Sequence, residues 1–239
     1  MSESLSGLDR TAAAMRKPIS EFAELVRDLA GAKALTLFGA VTTESFDATR
    51  QTARSVLVVD RVDLSVLRGL AEHGAKLGKV SIAAPLVMTP DYITDSLDTF
   101  PLELLEIMQK HVTLFGDDHF VDLSFEDAHV RLQCERELKV ILIGLRQGLL
   151  AAAGREKFIG ALEMDVGEGL SRTLRGLLWL KGRKDARPID AVLTELEKVA
   201  DRKLSGVRAA MDPTAEHGWM AFEKLYEDVE ALGSLVDGW

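Results

Sequence analysis

The sequence predicts an α+β fold, in which a small mixed sheet with flanking helices is followed by an antiparallel helical bundle. Two observations lead to this prediction. The first 120 residues contain short apolar runs separated by polar or helical segments, which is the pattern of strands with helical cover. The remaining residues show successive stretches of period 3.6 with Gly or Pro between them, which is the pattern of packed helices.

The first thirty residues predict an amphipathic helix. Apolar residues recur at spacings of three and four between Leu8 and Leu29, and Gly31 ends the pattern. Pro18 lies inside this segment. We therefore expect a kink or a break into two helices there, because proline lacks the backbone N–H that a helix interior needs.

Three short apolar runs predict the strands of the sheet. Residues 34–38 and 55–59 are each followed by a turn residue, which is typical of buried strands. Residues 80–88 predict a third strand, and Pro85 favours an edge position for it because proline cannot donate to a neighbouring strand. The periodicity of residues 64–77 predicts a helix between the second and third strands.

The second half of the chain predicts four successive helices. The segment 115–124 is rich in Gly and Asp and is typical of a linker. We therefore divide the chain into an α/β domain over residues 1–120 and a helical bundle domain over residues 121–239. The four predicted helices cover residues 126–150, 156–180, 189–204 and 213–235.

The composition excludes several classes of protein. A net charge of -9 argues against general nucleic-acid binding, although it leaves room for a local basic groove. No apolar run reaches the roughly 18 residues that a membrane span needs, and no cationic segment followed by an apolar core opens the chain. We therefore expect a cytoplasmic protein without a membrane contact. The single cysteine, Cys134, predicts a packed side chain rather than a disulfide.

The arrangement of the first two strands carries a family resemblance. The strand ending in Leu37-Phe38-Gly39 and the strand at residues 55–59 are separated by a polar segment of about fifteen residues. This order resembles the opening of the nucleotidyltransferase fold, as in minimal and aminoglycoside nucleotidyltransferases. Downstream, the run from MTPDYITDSLDTFPLELLEI to RLQCERELKVILIGLRQGLL is similar to bacterial predicted nucleotidyltransferases. The resemblance covers about residues 30–150 and implies a nucleotidyltransferase-like α/β domain followed by a helical domain.

The resemblance also implies where a nucleotide would bind. In the family, a Gly-Ser turn after the first strand meets the triphosphate, and this chain has Gly39-Ala40 there. The second strand of the family carries Asp-x-Asp. One alignment places Ala53 and Ser55 at those two positions, and a shift of one residue places Thr52 and Arg54 there. The candidate nucleotide-binding residues are Gly39, Ala40, Arg54 and Ser55.

These positions depart from the family in their chemistry. Neither alignment supplies a carboxylate, and residues 80–88, where the third acid is expected, contain none. Mg²⁺ prefers hard oxygen ligands, normally carboxylates, so we predict no metal site and no cofactor. The positive charge of Arg54 has two alternative roles, which are to hold a phosphate or to pair with an acidic neighbour.

A second pair of candidate residues lies on the predicted helix 126–150. Glu135 and Lys139 are one turn apart on the same face. Aminoglycoside nucleotidyltransferases carry a general-base glutamate, followed one turn later by a lysine, on the first helix of their second domain. The resemblance therefore implies catalytic roles for Glu135 and Lys139. The alternative is an exposed pair of opposite charges that stabilises the helix slightly.

Three histidines, His111, His119 and His129, lie close in sequence alongside Asp117, Asp118 and Asp122 and suggest a metal site. Their spacing does not match a helical metal-binding motif. We therefore expect these side chains to be turn and boundary residues.

The sequence leads to three functional hypotheses. The first is a nucleotidyltransferase-like protein that has lost transfer activity and acts as a binding or assembly module. The second is an active enzyme that moves NMP from an NTP to a hydroxyl acceptor, with Mg²⁺ on relocated acids such as Asp47 or Asp60 and with Glu135 as base. The third is an interaction module whose helical domain forms a homodimer or binds a protein partner. A nucleotide is a candidate ligand in the first two.

Overall fold

The chain divides into two compact units. A computed structural model describes residues 5–44, 46–185 and 187–239. The first unit contains the residues up to Leu97 together with Leu104–Ser124, and the second contains Asp98–Glu103 and Phe125–Trp239. The chain thus enters the second unit for the last time after Ser124, four residues beyond the boundary expected at residue 120. Six residues inside the expected first domain also belong to the second unit.

The first unit is built on a four-stranded mixed sheet, which confirms the α+β class and the small mixed sheet. The strand order is β3-β2-β1-β4, with β1 antiparallel to both β2 and β4 and with β2 parallel to β3. The helices of this part of the chain are α1 (Arg16–Arg27), α2 (Leu64–Lys79), α3 (Pro90–Asp95) and α4 (Pro101–Gln109). The strands are β1 (Ala32–Phe38), β2 (Arg54–Val59), β3 (Leu86–Met88) and β4 (His111–Phe115).

One face of the sheet forms the core of this unit with α1 and α2. Leu37 and Leu57 on the strands share a buried cluster with Phe22 of α1 and Leu70 of α2. Because side chains alternate between the two faces of a strand, position 55 lies on this core face and Arg54 lies on the opposite face.

The N-terminal helix is shorter than the periodicity predicts. Two 3₁₀ turns, Leu8–Arg10 and Ala13–Met15, precede α1. Pro18 is the third residue of α1, in its first turn, where a missing N–H breaks no helical hydrogen bond. The break expected at Pro18 therefore falls two residues earlier, at the start of the helix.

The third predicted strand is also shorter. Only Leu86–Met88 is regular strand, and Ile82 contributes an isolated bridge to Ala53. Pro85 lies between the two, where proline has no N–H to continue the ladder. The short strand β4 and the helix α4 were not predicted, and they complete the sheet and one side of the candidate site.

From residue 125 onward, the described residues form five helices where four were predicted. They are α5 (Asp127–Ala152), α6 (Glu156–Leu180), α7 (Ile189–Ala200), α8 (Ser205–Met211) and α9 (Trp219–Asp237). The predicted helix 189–204 ends early because Asp201 adopts a left-handed backbone, with φ 48. The chain then forms the short helix α8 before α9.

Buried polar groups join the helices of the second unit. Asp228 of α9 accepts hydrogen bonds from the N–H groups of Gly206 (2.8 Å) and Val207 (3.2 Å), so it satisfies the first turn of α8. Gln133 of α5 accepts from the N–H of Leu102 at 2.9 Å, which ties the segment Asp98–Glu103 into this unit. Cys134 is buried as predicted, and burial raises the pKa of its thiol to about 12.

Candidate functional site

The strand β1 ends at Gly39 in a tight turn. Gly39 has φ +75, a left-handed conformation that favours glycine, and a 3₁₀ turn follows over Gly39–Thr42. The Gly39 N–H donates to the carbonyl of Lys110 at 3.2 Å. The carbonyl of Ala40 accepts from both the N–H (2.9 Å) and the hydroxyl (2.7 Å) of Thr43, so Ala40 shapes the turn through its backbone.

Arg54 lies beside this turn and is paired with an acid. Its guanidinium donates two hydrogen bonds to the carboxylate of Glu106 on α4, at 2.9 and 3.1 Å. It also lies over the ring of Phe38, 4.4 Å from the ring centre. A Cβ placed on Gly39 would be 3.9 Å from both Arg54 Nη1 and Glu106 Oε1. Of the two roles considered for Arg54, the structure therefore shows an acidic neighbour.

Sequence reasoning missed Glu106. It lies 52 residues from Arg54, on a helix that the periodicity did not reveal. Its side chain is 20% exposed and that of Arg54 is 43% exposed, so the pair is open to solvent on one side. A buried apolar run that contains two glutamates, LELLEI, was the available signal.

Ser55 does not join this site. It is 2% exposed on the core face of the sheet, and within the described chain its hydroxyl has no hydrogen-bond partner. Ala53 lies on the same face and is 1% exposed. Of the two alignments to Asp-x-Asp, only the one with Thr52 and Arg54 places its second residue on the face of the sheet opposite the core face.

Asp47 and Asp60, considered above as relocated acids, and the nearby Asp63 each have a local structural role. Asp47 accepts from the N–H (2.9 Å) and hydroxyl (2.7 Å) of Thr49, and these bonds lower its pKa. Asp60 forms an ion pair with Lys33 at 2.7 Å. Asp63 caps α2 by accepting from two N–H groups and from the hydroxyl of Ser65, which lowers its pKa to about 2.

His111 and Asp118 form a hydrogen-bonded pair in the first unit. His111 Nε2 is 2.9 Å from the carboxylate of Asp118, and Nδ1 is 3.0 Å from the carbonyl of Ile107. Burial raises the pKa of Asp118, but hydrogen bonds from Phe120 N–H and His111 outweigh it, so the pKa lies below its usual value. No group of three potential ligands that could hold a metal occurs among residues 5–44, 46–185 and 187–239.

Glu135 and Lys139 form the expected pair on α5. Glu135 accepts from Lys139 and, at 2.9 Å, from Arg131. The bond from Lys139 is the largest of the effects that lower the pKa of Glu135, and it also raises the pKa of Lys139. A carboxylate with a lowered pKa is a weak general base at neutral pH.

A groove of about 400 Å³ runs beside this pair within the second unit. Three exposed apolar residues of α5, Leu132, Val140 and Ile143, form much of its wall. Charged residues of both signs also line it, namely Asp98, Glu135, Arg136 and Lys139. None of the helices in the described ranges is both long enough and apolar enough to cross a membrane.

The site geometry is the main guide to function for this chain. A comparison with protein-family models and with curated proteins finds no match to it. The fold shows a mixed sheet whose first strand ends in a glycine turn, beside an arginine–glutamate pair.

Proposed function

We propose that this chain is a nucleotidyltransferase-like binding or assembly module that does not carry out metal-dependent nucleotidyl transfer. The observation that supports this most directly is the pair between Arg54 and Glu106 beside Gly39. A guanidinium stands where the resemblance calls for a metal-binding carboxylate.

The charge at this position argues against a divalent metal. Mg²⁺ requires several hard oxygen ligands in near-octahedral geometry. Glu106 is already neutralised by two hydrogen bonds from Arg54, and the guanidinium repels a second cation at this distance. The half-exposed guanidinium can still donate hydrogen bonds to an anionic ligand that needs no metal, such as the phosphate of a nucleotide.

Titration of the purified chain with ATP and GTP, with and without Mg²⁺, tests the proposal. We expect no magnesium-dependent complex tighter than about 100 μM. Pyrophosphate release across a set of NTPs tests the rival hypothesis of an active enzyme. Release that Asp47→Ala or Glu135→Ala abolishes would establish the rival and overturn the proposal.

A charge substitution gives a sharper test. In Arg54→Asp, a second carboxylate stands near Glu106, and we expect the variant to bind Mn²⁺ or Mg²⁺ more tightly than the parent chain. Arg54→Asn is the matched control, because it removes the cation without adding a carboxylate. If the parent chain binds the metal as tightly as Arg54→Asp, the arginine does not block a metal site and the proposal fails.

The groove on α5 supports the assembly part of the proposal. Leu132, Val140 and Ile143 are each more than half exposed, at 58%, 58% and 52%. The lining of the groove also carries charges of both signs. This suits contact with a second copy, because a surface that meets itself across a two-fold axis must be self-complementary. We therefore propose that the chain assembles as a homodimer through α5.

A further inference from the structure

A second cavity lies at the edge of the sheet, against the start of β4. It has a volume of about 300 Å³, near the lower end of small-molecule sites. Its lining residues are Arg10, Thr42, Met108, Gln109, Lys110, His111 and Val112. Three of these carry or can carry a positive charge, and none is acidic.

Two of the cations are open to solvent. Arg10 and Lys110 are both exposed, and neither forms an ion pair with an acidic side chain within residues 5–44, 46–185 and 187–239. In a chain of net charge -9, a cavity lined only by neutral and basic side chains is a local reversal of charge. Such a cavity attracts anions.

The third basic side chain, His111, is fixed by its hydrogen bonds. His111 Nδ1 faces the carbonyl oxygens of Ile107 (3.0 Å) and Met108 (3.2 Å), which only accept hydrogen bonds. Nε2 faces both carboxylate oxygens of Asp118, at 2.9 and 3.0 Å. Both ring nitrogens are therefore engaged within the protein, so His111 forms part of the cavity wall and leaves Arg10 and Lys110 as the cations open to a ligand.

We propose that this cavity binds the phosphate group of a small phosphate monoester. The fork of Arg10 matches the oxygens of a phosphate, and Lys110 adds a second charge beside it. The amide of Gln109 supplies a neutral donor, and the apolar stems of Met108 and Val112 leave room for the rest of a small ligand. Two exposed cations match a dianion better than a single carboxylate.

The site is separate from the one at Arg54. Neither Arg54 nor Glu106 lines this cavity, and Gly39 and Ala40 do not line it either. The inference therefore does not depend on the proposed function, and each can fail without the other.

Nuclear magnetic resonance titration of the full chain tests the site. The probes are inorganic phosphate, glycerol 3-phosphate and succinate, each added at constant ionic strength. We expect both phosphates to shift the amide signals of Thr42 and of residues 109–112 saturably in the millimolar range, with succinate weaker by about tenfold. Saturation by glycerol 3-phosphate but not by inorganic phosphate would identify an ester as the ligand, and the reverse would identify the free ion.

Charge variants complete the test. Arg10→Gln and Lys110→Gln should each weaken phosphate binding by about tenfold, and Lys110→Arg should retain it. The double variant Lys76→Gln/Lys79→Gln, which removes two charges from α2 in the same unit, should bind as the parent chain does. The proposal is overturned if no signal saturates, if succinate binds as tightly as the phosphates, or if the α2 variant weakens binding as much as Arg10→Gln.

Discussion

Glu197 shows how single carboxylates stabilise the second unit. Its side chain is 8% exposed and accepts hydrogen bonds from Leu204 N–H at 3.1 Å and from Arg208 Nε at 3.0 Å. Lys203 lies 3.3 Å away. The bond from Arg208 is the largest effect on this carboxyl, and with its other partners it lowers the pKa to about 2. Glu197 therefore remains ionised well below the pH at which an ordinary glutamate is protonated.

This shift predicts an acid-sensitive contribution to stability. The pKa of Glu197 is lower in the folded chain than its ordinary value of 4.5, so the contribution of this residue to stability is full above pH 4.5 and is lost as the pH falls towards 2. Glu197→Gln should therefore be less stable than the parent chain above pH 4.5, and the difference should narrow on acidification. Urea unfolding at a series of pH values measures it.

The exposed position Glu72 on α2 provides the control for this experiment. Glu72→Gln makes the same chemical change at a residue that forms no ion pair among the described residues. It should leave the pH dependence of stability unchanged. A difference between Glu197→Gln and the parent chain that stays constant from pH 7 to pH 2 would contradict the prediction.

At the level of elements, the turn after β4 depends on one glycine. Gly116 has φ +75, and a Cβ there would lie 1.9 Å from the carbonyl oxygen of Lys33 and 2.8 Å from Ala34 Cα, both on β1. No side chain fits between the two strands at this point. The close approach of β4 to β1 therefore requires glycine.

Gly116→Ala should loosen the pairing of β1 with β4. The left-handed backbone alone costs an alanine about 1–2 kcal/mol. Gly31→Ala is the matched control in the same unit, because Gly31 has φ +79 but its nearest contact, with Asp60, is an ordinary 3.7 Å. We expect Gly116→Ala to lose clearly more stability, measured by hydrogen exchange of the sheet amides. Equal losses in both variants would show that the clash is relieved.

The elements that the sequence predicted well are those with a clear period. The buried strands at residues 34–38 and 55–59 and the helix at residues 156–180 were placed to within two residues, because their apolar pattern is continuous. The helix α4 was missed because its apolar side chains are not confined to one face. Leu102, Leu104, Leu105 and Ile107 are all buried. The short elements β4 and α8 span too few residues to show a period.

The candidate site was predictable only in part. Gly39 and Arg54 follow from the order of strand, turn and strand. The strand alternation that separates Arg54 from Ser55 depends on which face packs against α1, and the sequence left both alignments open. Glu106 required the position of α4, which lies far along the chain. Contacts of long sequence separation have no local signal, so the ion pair at the site could not be derived from the motif.

For the whole molecule, the proposed homodimer through α5 gives a direct prediction. Leu132→Glu places a charge in the apolar wall of the groove on each copy, so we expect the variant to be monomeric where the parent chain is a dimer. Leu150→Glu is the matched control, because Leu150 is 80% exposed on the same helix but does not line the groove. Light scattering after gel filtration measures both masses.

Three outcomes of this experiment are informative. If the parent chain and Leu150→Glu are dimers while Leu132→Glu is a monomer, the contact through the groove is supported. A measured mass for the parent chain that stays at the monomer value of 26.2 kDa at all concentrations contradicts the homodimer. Dissociation by Leu150→Glu, without dissociation by Leu132→Glu, would place the contact elsewhere on α5.

The segment Asp98–Glu103 has a consequence for how this protein can evolve. The polypeptide enters the helical unit there, returns at Leu104 and enters it again at Phe125, so it crosses between the units three times. A single recombination point cannot transfer either unit intact to another gene. A fragment that starts at Phe125 would lack Leu102. The side chain of Gln133 would then lose the hydrogen bond that it accepts from the Leu102 N–H. We therefore expect the sheet and the helices to be inherited together, within one gene.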